Sequence, residues 1–426
     1  MTHDAPMLTA TAGPGADLSA APQRRQAALI FIFVTVTIDT IAMGVTAPVL
    51  PQLIERMSGN PSQAGLMNGL FMAVFALMQF LFSPILGGLS DRYGRRPILL
   101  LSIAGLGLSY AGMAMASNIW ELLLIRLFTG ATSANIATAF AYIADVTPAD
   151  RRAGAYGMVQ GAMSLGFALG PGLGGILSGI DLAAPFWIAA GVSLINAGFG
   201  FFVVPESLSK DRRAPFQVKH LSSFAGLSML RSKPDLFRLA MILAMAQFAF
   251  MVFPTVFVLY AGHRYHWGIG PVSACLTAFG ICSFLVQAGL SGRIVRGLGA
   301  GKVIVFGVLC GVVGTFVFGI AEVAWVFLIG IPIMTLSGVS APAVQSVMTR
   351  LVSSSEQGRL QGANTSLQSL AGIAAPLMFG GIWSVVALVP KGGLDLRGTP
   401  FFVASAILAC AAILAGRPLK AAPARV

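Results

Sequence analysis

Two charged side chains lie where the sequence offers them no water. Asp39 falls about twelve residues into an apolar run near 27–50, and Arg126 about seven residues into another near 119–143. At helical rise, Asp39 stands ~18 Å into a hydrocarbon layer ~30 Å thick, and Arg126 enters ~10 Å from the opposite surface. The two depths nearly coincide. A carboxylate there costs several kcal/mol unless it is paired, wetted or protonated, so function is the default reading. Loss of water favours the neutral acid, and the chemistry such a group can do is to take up and release a proton. The plainer alternatives are a carboxyl that only holds its helix to a neighbour, and an arginine that pairs locally with Glu121.

A third group of charges sits between two apolar runs. Gly87-Gly88-Leu89-Ser90-Asp91-Arg92-Tyr93-Gly94-Arg95-Arg96 carries an acid and three arginines in ten residues, whereas charge makes up 10% of the chain. A connection between two membrane helices needs no such set. Orienting the helices would use the arginines, but neither Asp91 nor the glycines. Farther along, Gly166, Gly170 and Gly174 recur at a spacing of four, with Pro171 and Gly175 beside them. That stripe lets another helix approach closely, and the proline bends its own.

The elements that must position these groups are helices that cross a membrane. The 426 residues are 56% hydrophobic with a mean hydropathy of +0.83, which a water-soluble domain does not tolerate. Runs long enough to span appear near 27–50, 65–86, 97–116, 119–143, 154–179, 185–204, 237–260, 270–290, 301–320, 322–347, 358–387 and 400–416. The fold class is therefore an all-α membrane protein of twelve helices. Residues 1–23 have no apolar core and read as a disordered tail rather than a signal peptide, with a second short tail at 417–426. Neither tail has room for a signalling domain, which argues against a receptor.

The formal charge of +12 would suggest nucleic acid in a soluble protein. Its distribution says otherwise. With both termini on one side, 22 of the 27 Lys and Arg fall on that side and four (Arg56, Arg264, Lys391, Arg397) on the other. This asymmetry places both termini in the cytoplasm. Trp120, Trp187, Trp267, Trp325 and Trp383 all fall at the opposite helix ends, where indoles favour the membrane interface. No nucleic-acid partner is expected.

No Ser/His/Asp constellation, nucleotide loop or metal cluster occurs, so no cofactor is expected. His263 and His266 lie in one external loop at a spacing that could bind a metal weakly, but they read as solvated interfacial histidines. Cys275, Cys282, Cys310 and Cys410 read as core residues of apolar helices.

The chain also repeats. At an offset of 205 residues Gly87 meets Gly292, Gly94 meets Gly299, Gly157 meets Gly362, Pro171 meets Pro376 and Gly175 meets Gly380. Asp91, by contrast, lands on Arg296 and Arg126 on Ile331. The expected organisation is two six-helix halves, 24–204 and 237–416, joined by a basic linker at 205–236, the parallel repeat of a secondary transporter. The charged chemistry belongs to the first half.

Twelve helices in two repeats, with Gly-x-x-x-Asp-Arg-x-Gly-Arg-Arg after the second, resemble the major facilitator superfamily. Gly44-Val-Thr-Ala-Pro-Val-Leu-Pro51, Arg126 with Gly130, and the run Gly166 to Gly175 resemble its twelve-helix drug/proton antiporters. Ala76-Leu-Met-Gln79 before Ser83-Pro84, and Glu356-Gln-Gly358 before Gln361-Gly362, look like its tetracycline/proton antiporters.

The resemblance implies that helices 1 and 4 line a central cavity, so that Asp39 and Arg126 could pair. Pairing would hold Asp39 ionised and separation would favour its protonation. It implies a gate in which Asp91 accepts from the start of helix 11 near Gly358, and Arg95 bridges to Asp145 with Arg152 close by. Arg92, Arg96, Gly87 and Gly94 complete that loop. Gln247, Gln345, Asn364 and Gln368, on helices 7, 10 and 11, are candidate substrate contacts.

Two departures bear on the substrate. Close tetracycline pumps carry acids in helices 3 and 9, where this chain has Ser109 and an acid-free stretch at 309–317. The expectation is a monomeric, proton-driven efflux antiporter of a bacterial inner membrane, exporting a drug-like amphiphile. The alternative is a proton symporter importing a small solute.

Overall fold

The computed structural model describes residues 20–148, 151–209, 233–353, 356–388 and 396–417, with Asp211, Arg213 and Leu230 as isolated positions. The first tail up to residue 19, most of the 205–236 linker and the end beyond Arg417 lie outside the described residues. Among those described, eleven helices are long and apolar enough to cross a membrane, and a shorter apolar one, Ile269–Leu285, completes twelve.

The twelve elements follow the hydrophobic runs. They are α1 (Ala20–Thr46, continued by Leu50–Ser58), α2 (Pro61–Tyr93), α3 (Arg95–Met115), α4 (Ile119–Thr132 and Asn135–Val146), α5 (Arg152–Ser178) and α6 (Ala184–Val203). After the linker come α7 (Pro234–Phe250 and Val252–Tyr265), α8 (Ile269–Leu285, carried on through a π-turn to Ser291–Leu298) and α9 (Ala300–Ile320). The last are α10 (Ala324–Leu336 and Ser340–Arg350), α11 (Gln357–Val386) and α12 (Thr399–Gly416). Six helix pairs thus turn back on themselves, and both ends of the described chain lie at one end of the bundle, called here the basic end. The end with the tryptophans is the far end.

Breaks occur where the backbone lacks partners or side chains compete for them. Pro48 and Pro51 interrupt α1 near its far end, because a proline supplies no N–H to the helix. In α4 the break at Ser133-Ala134 has no proline. Thr132, Ser133 and Asn135 cluster there, residue types whose side chains compete with the backbone for hydrogen bonds.

Helix association in lipid depends on close packing rather than on the hydrophobic effect, and α5 shows how. One of its faces meets α1. A Cβ on Gly170 would stand 2.6 Å from Gly44 Cα, one on Gly166 would collide with Thr40, and one on Gly174 with the Val45 carbonyl. The opposite face meets α8, where a Cβ on Gly175 would lie 2.6 Å from Ser273 Cβ and one on Gly280 2.7 Å from Ala168 Cα. The internal repeat reproduces this seam between α11 and α2. There Gly69 abuts the Pro376 carbonyl, and a Cβ on Gly380 would lie 3.1 Å from Gly69 Cα.

Both seams lie toward the far end. At the basic ends of the same four helices, Gly87, Gly157, Gly161, Gly292 and Gly362 have empty space where a Cβ would stand.

The aromatic stretch of α7 is core. Phe253 stacks on Phe257 and Phe279 at 4.7 Å, and Phe318 on Phe327 at 4.2 Å. The cysteines divide. Cys275 is buried, whereas Cys410 is exposed on the outside of α12 and is not the core residue expected.

The α1–α5 contact is backbone on backbone, so it cannot yield by a rotamer change. Gly170→Ala should cost about 1–3 kcal/mol through overpacking and lower the thermal unfolding temperature of the purified protein. Gly191→Ala, which adds its methyl to open space on α6, should change that temperature little.

Candidate functional site

Asp39 is 4% exposed. Its Oδ2 accepts a 2.6 Å hydrogen bond from Asn135 Nδ2, while Oδ1 is buried with no hydrogen-bond partner. Asn135 reaches it because α4 breaks two residues earlier and restarts at Asn135. One oxygen is held and the other has no hydrogen-bond partner among the described residues. Asn135 carries no sequence motif. The signal that could have found it is an amide in an apolar run just after a Thr-Ser pair.

Arg126 is not the partner of Asp39. Its guanidinium lies 4.3 Å from the centroid of the Phe75 ring and 5.2 Å from that of Phe71, with Nη2 3.8 Å from Met72 Sδ, all on α2. Glu121, the local alternative, instead caps its own helix start by accepting from Ser117 N at 2.7 Å and Asn118 Nδ2 at 2.6 Å. Aromatic faces thus take the place of a carboxylate beside this cation. Tyr110 on α3 is 4% exposed and lies near both Asp39 and Arg126.

The 87–96 segment is not the loop expected, being helical on both sides of Gly94, and it is tied to its own half. Arg95 pairs with Asp91 at 2.6 Å and with Asp145 at 3.1 Å, and it donates to Ser90 Oγ at 3.2 Å. Ser207 adds a 3.1 Å bond to Asp145. The Asp91 side chain is half exposed and paired with Arg95, and no contact from it to the start of α11 appears among the described residues. The Arg152 side chain lies outside the described residues. Arg92 stacks on Tyr93, and Arg96 on Phe201.

Glu206, which follows α6, has a part that the sequence did not suggest. Its carboxylate accepts from Arg95 N at 2.8 Å and Arg96 N at 3.3 Å, so it caps the N-terminus of α3, where the helix dipole favours an anion. Gly94 (φ 112°) is required here. No L side chain rests easily at that φ, and a Cβ would strike Glu206.

The far end is sealed by contacts between the first six helices and the last six. His263 Nε2 lies 2.6 Å from Glu55 Oε1, so this histidine is not simply solvated as expected. Its carbonyl also accepts from Arg397 Nη1 at 2.7 Å. Ser62 Oγ donates to the Ser384 carbonyl at 2.7 Å, and the fully buried Asn68 donates to the Thr255 carbonyl at 2.6 Å. Trp383 is also fully buried, against Gly65 and 5.9 Å from the His263 ring, and so is no interfacial anchor. Trp120 and Trp325 remain exposed, at 65% and 64%.

The four candidate substrate contacts differ in their surroundings. Gln345 donates to Gln361 across α10 and α11, Asn364 is buried against Met348 Sδ at 3.8 Å, Gln368 is exposed and Gln247 half-buried on α7.

Comparison with known proteins now bears on this arrangement. The chain is 34% identical to the tetracycline resistance protein, class C, of Escherichia coli, over 88% of this chain and 94% of that one. It is also 34% identical to the class G protein of Vibrio anguillarum, over 89% and 96%. In structure it resembles the nucleoside transporter NupG, with a TM-score of 0.73 over 90% of this chain and 98% of that one at 12% identity. The human organic anion transporter MFSD10 gives 0.68 over 92% and 99% at 24% identity. Residues 32–376 match the model of the major facilitator superfamily, and the chain belongs to that family of transporters.

Proposed function

We propose that the protein is a proton-coupled antiporter that exports an amphiphilic, drug-like small molecule across a bacterial inner membrane. The observation that carries this reading is Asp39, a buried carboxyl within the first apolar span, with one oxygen held by Asn135 and the other unpartnered among the described residues. The names of the relatives, which are tetracycline resistance proteins, support efflux. The substrate is proposed as a broader class of amphiphile, because Ser109 stands buried on α3 where close tetracycline pumps carry an acid, and 309–317 has no acid.

The positive-inside rule supports a cytoplasmic basic end. The described seams then close the far side and leave the cytoplasmic ends of α2, α5, α8 and α11 apart. In this state Asp39 would meet substrate from within. Transport would follow by rocking of two units, 24–204 and 237–416, about the glycine seams. As the basic ends close, Asp91 would leave Arg95 for the start of α11. Substrate and proton then compete for one carboxyl, with Asn135 and Tyr110 setting its surroundings and Arg126 acting on it at a distance. The protein would work as a monomer.

The decisive measurement is uptake into inverted membrane vesicles under an imposed proton gradient, with tetracycline, lipophilic cations and neutral drugs as the panel. Wild type should accumulate at least one compound, and Asp39→Asn should fall to the level of empty vesicles. Accumulation that survives Asp39→Asn would remove this carboxyl from the coupling.

The open positions at the basic end make a second test. Gly157→Leu and Gly362→Leu should trap that end open, stopping vesicle uptake while purified protein still binds the transported compound. Uptake at the wild-type rate would show that these ends never close.

The far-end pair is half exposed, and such pairs contribute at most about 1 kcal/mol. Glu55→Gln should therefore raise labelling of a cysteine placed beneath the seal by no more than about fivefold, read by maleimide modification in whole cells.

A further inference from the structure

A cavity of about 650 Å³ opens at the basic end between the starts of α7 and α9 and the end of α12. It takes no part in the site around Asp39. Arg238, Lys302 and Arg417 stand in its lining, and no acidic residue does. Asp235 pairs with Arg238 at 3.3 Å, which leaves a net charge of about +2 at the mouth, by formal charges at neutral pH. The remaining wall is apolar and runs along α9 to Phe306 and Leu309, which are 37% and 47% exposed on the outside of the bundle. The groove is thus cationic at the membrane surface and greasy toward the hydrocarbon.

The internal repeat shows what this place accepts. The start of α3 in the first half corresponds to the start of α9 in the second, and the preceding glycines match. Gly94 has φ 112° and Gly299 φ 77°. In the first half an anion sits on that helix start, the carboxylate of Glu206, arriving from the end of α6. In the second half a Cβ on Gly299 would meet nothing within 4 Å, and the chain leaving α12 brings Arg417 instead of an acid. The helix start, Lys302, Arg417 and the cavity remain, and no acidic residue lines it among the described residues.

We propose that this groove binds the phosphate headgroup of an anionic phospholipid, with its acyl chains along Phe306 and Leu309. A lipid fits better than a soluble anion, because the groove joins the charged mouth to an exposed apolar wall that only a molecule with both characters would cover. Basic pockets between transmembrane helices are suited to such headgroups.

The test uses the purified full-length protein, stripped of lipid and titrated with phosphatidylglycerol or phosphatidylcholine, the bound lipids being counted by native mass spectrometry. Wild type should retain one phosphatidylglycerol in preference to phosphatidylcholine. Lys302→Gln with Arg417→Gln should weaken that retention about tenfold or more, since each cation near a charged membrane surface contributes roughly a factor of five. Lys302→Arg with Arg417→Lys should keep it, which separates lost charge from lost folding. Arg293→Gln with Arg296→Gln removes two exposed arginines of the same end that lie outside the cavity and should leave retention unchanged. Equal binding of the two lipids, or undiminished retention in the charge-removed pair, would overturn the proposal. So would displacement of the lipid by millimolar glycerol phosphate, which would mark a site for soluble anions.

Discussion

The backbone contact of α1 with α5 fixes the position of the charge on which everything else depends. In lipid no hydrophobic force draws two helices together, so their spacing is set by how near the backbones can come. Gly44 and Gly170 reduce that spacing to the limit, with Gly166 against Thr40 and Gly174 against Val45 on either side. Asp39 lies between one and two turns before Gly44 on the same helix. Once α1 is fixed on α5, its carboxyl is held toward α4, where Asn135 meets it. A looser helix pair would let a buried acid turn toward lipid or water, and its chemistry would no longer be tied to movement of the bundle.

The break in α4 is the second half of the same arrangement. An unbroken helix satisfies its backbone internally and offers only side chains. Interrupting it at Ser133-Ala134 lets Asn135 enter from a new direction and bond one oxygen of Asp39. The cost is local and is limited by turn bonds from Ser133 N to the Gly130 carbonyl and from Ala134 N to the Thr132 carbonyl. Arg126 lies one segment away, on the aromatic face of α2. It packs on Phe75 and Phe71 and makes no ion pair with Asp39 among the described residues.

What the sequence disclosed and what it concealed divide along physical lines. Twelve spans, the depth of Asp39 and the glycine stripe of α5 follow from hydropathy, helical rise and spacing along one chain. The Arg95–Asp145 bridge was also legible, because a charge cluster at a helix end has few places to go. Asn135, Glu206, Trp383 and the Glu55–His263 pair were not, since each depends on which distant helix stands opposite. Trp383 has the composition and position of an interfacial anchor, yet the α2–α11 seam buries it. The pairing of Asp39 with Arg126 failed for a related reason. Equal depth on two helices gives the right height but no angle about either axis, and Arg126 faces α2.

The internal repeat explains why two similar halves have such different chemistry. Glycine positions that set helix spacing recur in both, because both seams need the same close approach: Gly175 against Ser273, and Gly380 against Gly69. Charge is under no such constraint and differs between the halves. The first half keeps Asp39, Arg126 and the Arg95 cluster, whereas the second has Ile331 where the first has Arg126, and Arg296 where it has Asp91. Seams at matching positions in both halves can slide together as one joint, while the charges of only one half sense what lies between them. Under the proposed antiport, a symmetric scaffold with one-sided chemistry would couple a two-body movement to a single carboxyl.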